Sequence, residues 1–124
     1  MTPMFRTTLV AAALLVLSGC ATPNKGLYEW GGYSDMLYQN YKKPDTVAGN
    51  LVKLQAHVSA LEAGRGKVAP GLYADLGTLY LQAGDRDRAL DNYRKERAAW
   101  PESAGLMDAM IKNLAAKPAT EAKT

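Results

Sequence analysis

The sequence predicts an all-α chain, a small array of about five helices. Apolar residues recur at spacings of three and four in successive segments, as one face of a helix with ~3.6 residues per turn requires. Proline and glycine punctuate those segments where helix starts and stops are needed. No stretch alternates apolar and polar residues with the two-residue period of a half-buried strand.

The elements follow in order. Residues 21–26 are short, polar and proline-containing, which predicts a tether. Tyr28, Trp30, Tyr33, Tyr38 and Tyr41 crowd the next stretch, interrupted by Gly31-Gly32, so a turn and then a short helix over about 34–42 are expected. Pro44 stops that helix, since the residue before proline is pushed out of the helical region, and Asp45 is placed to cap the next. Val47, Leu51, Leu54, Val58 and Leu61 form an amphipathic stripe over about 46–63, which Gly64 and Gly66 are expected to end in the left-handed conformation of C-caps.

Pro70 opens a further helix to about residue 83, with Leu72, Tyr73, Leu76, Leu79 and Tyr80 apolar. Gly84 ends it, and Asp85 caps a helix to about residue 99. Pro101 punctuates again. Ser103 is the expected cap of a last helix to about 116, with Leu106, Met107, Met110, Ile111 and Leu114 turned inward, and residues 117–124 are expected to form a flexible tail.

Tyr73, Leu76-Gly77, Tyr80, Ala83-Gly84-Asp85, Ala89, Tyr93 and Pro101 together resemble a tetratricopeptide repeat over residues 70–103. Gly77 and Ala89 are small where two antiparallel helices would cross, and the aromatic residues fill the space between them. Glu96 departs from the pattern, where a small residue is usual, so a looser or solvent-facing crossing is expected there. About 34 residues upstream, Lys43 and Gln55 stand where the pattern wants small residues. Flanking helices must therefore complete the core, since one repeat cannot bury its own faces. The resemblance implies a groove lined by the first helix of each pair, which places Ala74, Thr78, Leu81 and Gln82 along it.

Leu17-Ser18-Gly19-Cys20 resembles the lipobox of bacterial lipoproteins. Arg6 supplies a positive start, and the uncharged run from Leu9 to Leu17 is far shorter than the ~20 residues that span a bilayer. Residues 1–19 are then a cleaved signal peptide, 20–27 a lipidated tether and 28–116 the helical repeat-like domain. The resemblance makes Cys20, the single cysteine, the expected acylation site, which would leave no thiol for disulfides or catalysis. Each buried methylene of an acyl chain contributes ~0.8 kcal/mol, and the two or three chains implied by the resemblance give a lasting anchor. Ala21 lacks the aspartate that commonly retains such proteins in the inner membrane of enteric bacteria, which favours an outer-membrane location facing the periplasm.

Lys and Arg total 15 against 12 Asp and Glu, a net +3 at pH 7. The two signs are interleaved, so a nucleic-acid partner is not expected. Asp85, Asp87, Asp91 and Glu96 fall at the first, third, seventh and twelfth places of a calcium loop, but Leu90 takes the place that needs glycine. No metal is expected. His57 is the sole histidine and has no oriented partner in the pattern, so neither a catalytic role nor a cofactor is expected. Trp30 and Tyr33 have three readings: packing over the core, lying at a membrane interface, or anchoring a partner.

Tyr28-Glu29-Trp30-Gly31-Gly32-Tyr33-Ser34, with Leu37-Tyr38 and Tyr41-Lys42, is similar to the N-terminal signature of a small family of Gram-negative lipoproteins of unknown function. Its members are often encoded beside a CsgG/HfaB-type secretion lipoprotein. The resemblance implies an accessory part in an envelope secretion or surface-assembly complex. Two functions are therefore expected in order: a non-enzymatic adaptor holding another envelope protein, or a lipid or small-molecule binding protein with a cavity lined by Tyr33, Tyr38 and Tyr80. Replacing Cys20 by serine should abolish acylation, and metabolic labelling with a fatty-acid analogue checks this. A serine variant that still takes up label would exclude the lipoprotein reading.

Overall fold

The computed structural model of the protein describes residues 26–116. Within them five α-helices follow one another: α1 Tyr33–Lys42, α2 Val47–Ala63, α3 Leu72–Gln82, α4 Arg86–Ala99 and α5 Ala104–Ala116. Single 3-10 turns at Pro44–Thr46 and Pro101–Ser103 lead into α2 and α5. The described residues contain no strand, and the chain is all-α as its periodicity requires. Helix α3 packs most extensively on α4, then α4 on α5 and α2 on α3, while α1 touches α2 sparingly.

The core runs through α2 (Leu54, Val58, Leu61), the connection after it (Val68, Ala69), α3 (Leu72, Leu76, Leu79, Tyr80), α4 (Ala89, Tyr93) and α5 (Met107). Its tightest point is the crossing of α3 and α4. A Cβ on Gly77 would lie 2.8 Å from Cε1 of Tyr93 and 3.1 Å from the Ala89 carbonyl oxygen. The Tyr93 side chain is 0% exposed, with its hydroxyl 3.1 Å from that of Thr78.

The expected stop and start between these two helices are present. Gly84 has φ 83°, the Asp85 N–H donates to the Tyr80 carbonyl at 2.9 Å, and the Gly84 N–H donates to that of Leu81 at 3.0 Å. That paired arrangement satisfies the last carbonyls of α3. The Asp85 carboxylate then accepts from the Arg88 N–H at 3.0 Å, the capping role its position predicts.

Several expectations are corrected. Neither Gly64 nor Gly66 is left-handed; Arg65 takes that conformation, at φ 56°. The Gly66 N–H closes on the Leu61 carbonyl at 2.7 Å, and a Cβ on Gly66 would come within 3.1 Å of the Leu61 side chain, so its smallness serves close approach. Asp45 caps nothing. It lies inside the 3-10 turn, where the Val47 N–H is taken by the Pro44 carbonyl and the Thr46 hydroxyl bonds back to the Lys43 carbonyl at 2.7 Å. Ser103 sits likewise in a 3-10 turn and its hydroxyl donates to Glu96 at 3.3 Å. Leu106 is exposed; Met107 takes the inward position, and Met110, Ile111 and Leu114 pack against the core on the same side.

Glu96 is the largest correction, being 1% exposed rather than solvent-facing. Its Oε1 accepts from the Gly71 N–H at 2.8 Å and from Ser103, joining the start of α3, the body of α4 and the turn before α5. The side chain therefore does by reach what a small residue does by absence. Its Oε2 is buried without a hydrogen-bond partner among the described residues, as is Nε1 of Trp100.

Replacing Gly77 by leucine should destabilise the domain by ~1–3 kcal/mol, because the Tyr93 ring already fills the space and is itself walled in. For a domain of this size each kcal/mol lowers the melting temperature by roughly 4–8 °C, which calorimetry or circular dichroism would read. An unchanged melt would show that the crossing accepts a side chain.

Candidate functional site

The aromatic segment is organised from two fixed points. Tyr28 meets Trp100 edge-on at 5.7 Å between ring centroids, while Lys67 Nζ lies 4.2 Å from the centre of the same indole. The second point is His57 of α2, whose Nε2–H donates to the Glu29 carbonyl at 2.8 Å. The imidazole also lies so close to Gly31 that a Cβ there would be 2.5 Å from Nδ1. Gly31 and Gly32 are both left-handed, at φ 56° and 74°, and reverse the chain into α1. His57 is thus a positioning residue for the segment.

Between these points Trp30 stands 6.2 Å from Tyr28 and 5.9 Å from Tyr33 by ring centroid, and remains 42% exposed. Tyr28 and Tyr33 pack against the core. The segment therefore divides: two tyrosines cover the core and the tryptophan between them keeps a free surface.

Helix α1 has no buried residue. It stands on Tyr33 and Met36, which pack toward the core, and on a hydrogen bond from the Asn50 amide of α2 to Asn40. Asn50 also donates to the Thr46 hydroxyl at 3.2 Å and is itself buried. A cleft lies on each flank of this support. One, of about 250 Å³, is bordered by Trp30, Gly31, Asp35, Gln39, Lys53 and His57. The other, of about 170 Å³, lies between α1 and α3, with Tyr33, Met36 and Leu54 shared and with Leu37, Asn40, Asp75, Thr78 and Gln82 around it.

Of the groove residues expected from the repeat, Thr78 and Gln82 line the second cleft together with Tyr33. Ala74 packs toward the core instead, and Leu81 stands partly exposed outside that lining. The Thr78 hydroxyl donates to the Ala74 carbonyl at 3.0 Å, which ties its polar atom to the helix. Tyr33, Tyr38 and Tyr80 do not converge. Tyr80 is in the core with its hydroxyl on Gln55 at 2.6 Å, and Tyr38 faces outward. Cys20 lies outside the described residues.

Sequence reasoning gave no role to Asn50, Lys53 or the contact between Gly31 and His57. Asn50 could have been found: it lies three residues after Val47 and four before Leu54, a polar side chain inside an apolar stripe.

The titratable groups near the clefts are few. Burial, and then the neighbouring Glu96 carboxylate, raise the Asp75 carboxyl above the usual carboxylate range. On the other side of α3, Glu62 accepts from Lys95 at 2.8 Å and from the Tyr73 hydroxyl at 3.0 Å. The Lys95 hydrogen bond outweighs burial and holds Glu62 below its ordinary value, while burial and then Glu62 push Tyr73 up to about 12.

With this geometry in place the comparison with protein families is decisive. The family described as a domain of unknown function (DUF4810) matches residues 27–110. The chain belongs to that family. No curated protein and no solved structure matches it. The DUF4810 match begins just before Tyr28 and runs to Met110, so the aromatic segment, both clefts and the α3–α4 hairpin fall inside one family unit.

A raised folded-state value means that Asp75 costs stability while it is ionised, and that this cost disappears as pH falls through the raised value. Asp75→Asn should therefore melt above the wild type at neutral pH, with the gap closing on acidification into the carboxylate range. Parallel thermal melts across that range check it; a constant gap would place the effect in packing instead.

Proposed function

We propose that this DUF4810 protein is a non-enzymatic adaptor, acylated at Cys20 and held on the periplasmic side of the outer membrane, where it retains another envelope protein of a secretion or surface-assembly complex. The observation that carries the reading is the part-exposed Trp30 at the border of the cleft it shares with Asp35, Lys53 and His57, with a second polar-rimmed cleft on the other flank of Tyr33 and Met36. Aromatic anchors beside a partly apolar depression are what dominates protein interface energetics. The tetratricopeptide-like reading of α3 and α4 supports it as well, through the Gly77–Ala89 approach, the turn at Gly84 and the stop at Pro101. In such arrays the first helices present the groove, and in this reading the cleft bordered by Thr78 and Gln82 of α3 serves as one.

The interior argues for an adaptor over a small-molecule carrier. Tyr93, Leu54, Leu72, Leu76 and Met107 fill the core, and Tyr33, Tyr38 and Tyr80 do not enclose a common cavity. Lipidation rests on the Leu17–Cys20 pattern, and the complex on the company that the resembled family keeps. Among the described residues no helix is long and apolar enough to cross a membrane, so the anchor in this reading is the lipid.

The test is direct association with a CsgG/HfaB-type lipoprotein from the same genome, measured with purified proteins in detergent. Trp30→Ala removes the exposed anchor, and Gln82→Arg places a bulky charge at the cleft mouth. Each should weaken binding about 30-fold, the equivalent of ~2 kcal/mol at a central anchor. Circular dichroism must first show both variants folded. Folded variants that bind as the wild type does would exclude this surface.

A further inference from the structure

Helix α1 exposes further apolar and aromatic residues on the side turned away from the core. At ~100° per residue, Leu37, Tyr41, Ser34, Tyr38 and Lys42 follow one another round an arc of ~140°. Tyr33, Met36 and Asn40 occupy the other side, against the core and Asn50. Tyr41 is 88% exposed, Tyr38 53% and Leu37 51%. Lys42 Nζ stands 4.8 Å from the centre of the Tyr38 ring, and Lys43 follows at the helix end. No acidic residue falls on the arc, and neither lysine has an ion-pair partner among the described residues. A surface helix ordinarily shows the opposite arrangement.

We infer that this outer face of α1 rests on a phospholipid surface carrying anionic headgroups. The inference rests on acylation of Cys20. Tyrosine is favoured at a membrane interface because its ring is apolar and its hydroxyl wet, and lysine extends its ammonium to the phosphates while its stem stays on the apolar side. The chemistry of the arc is therefore tyrosine and leucine with Lys42 along one edge and Lys43 just beyond the helix end. The length of chain between anchor and domain adds a second constraint. Cys20 and Gly26 are six residues apart, a span of at most ~22 Å when fully extended. Helix α1 begins seven residues further on and is ~15 Å long. An acylated Cys20 thus keeps α1 within reach of the bilayer, and the face that meets the headgroups is the one whose side chains suit them.

Because Cys20 is the sole cysteine and would be acylated, a Tyr41→Cys variant has one free thiol for a nitroxide label. Asp91→Cys gives a control on α4, which packs on α3 and α5 and lies outside the principal contacts of α1. The full lipidated protein is reconstituted in vesicles of phosphatidylethanolamine with about one quarter phosphatidylglycerol, and each label's collisions with a water-soluble nickel chelate and with oxygen are compared. The expected result is nickel accessibility at least about five-fold lower at residue 41 than at residue 91, with the difference reduced by Lys42→Glu combined with Lys43→Glu. Equal accessibility, with mass spectrometry showing the acyl groups on Cys20, overturns the inference and leaves the lipoprotein reading intact. An unmodified Cys20 overturns both. Protection at residue 41 that disappears as the protein-to-lipid ratio is lowered assigns the face to a second protein chain instead.

Discussion

The approach of α3 to α4 at Gly77 sets the geometry from which the rest of the domain follows. With no side chain at residue 77, the Tyr93 ring can lie against the α3 backbone and the Ala89 carbonyl can come close beneath it. Tyr93 then meets Thr78, and Glu96, one turn further along α4, arrives under the first turn of α3 where the Gly71 N–H is waiting. A single missing Cβ and a single buried carboxylate thus fix both the separation of the two helices and their offset along each other. The outward side of α3 is fixed by the same contact, which leaves Asp75, Thr78 and Gln82 facing the space beneath α1.

That hairpin was legible because its determinants are local and of extreme size: glycine and alanine at the crossing, glycine at the turn, proline at the stop. Glu96 was not legible, because a charge in a helix reads as solvated until its donors are known. Those donors are the Gly71 N–H, 25 residues away, and the Ser103 hydroxyl, seven residues on. Only the folded chain brings them together. The caps failed for a related reason. At Asp45 and Ser103 a 3-10 turn consumes the first free N–H groups through backbone carbonyls, so a side chain well placed in sequence has nothing left to cap. At the end of α2 the two glycines mark the right turn, but the left-handed residue is the Arg65 between them.

The candidate site was half visible. Trp30, Tyr33, Thr78 and Gln82 do gather around the α1 clefts, whereas Ala74 and Leu81, on the same face of α3 as Thr78, fall outside both linings. The missing information was the seat of α1, which depends on Asn40 with Asn50 and on Gly31 with His57, two pairings that no periodicity announces. A helix of ten residues is shorter than the ~12–15 at which isolated helices become even marginal in water. It exists here through those few attachments, and so belongs to the part of the fold that opens at least cost.

The family match gives this contrast its meaning. A unit from residue 27 to 110 includes the loosely seated α1 along with the tightly crossed hairpin. The aromatic stretch is therefore part of the domain, and the Tyr28 contact with Trp100 shows how. It joins the start of the domain to the end of α4, next to the turn that launches α5, while Lys67 from the α2–α3 connection covers the same indole. One aromatic pair thus ties the entry of the chain to the far end of the hairpin. Whatever the Trp30 face and the outer side of α1 meet, that contact falls on the turn before Tyr33 and the ten residues after it, the part of the domain with the fewest attachments to the core.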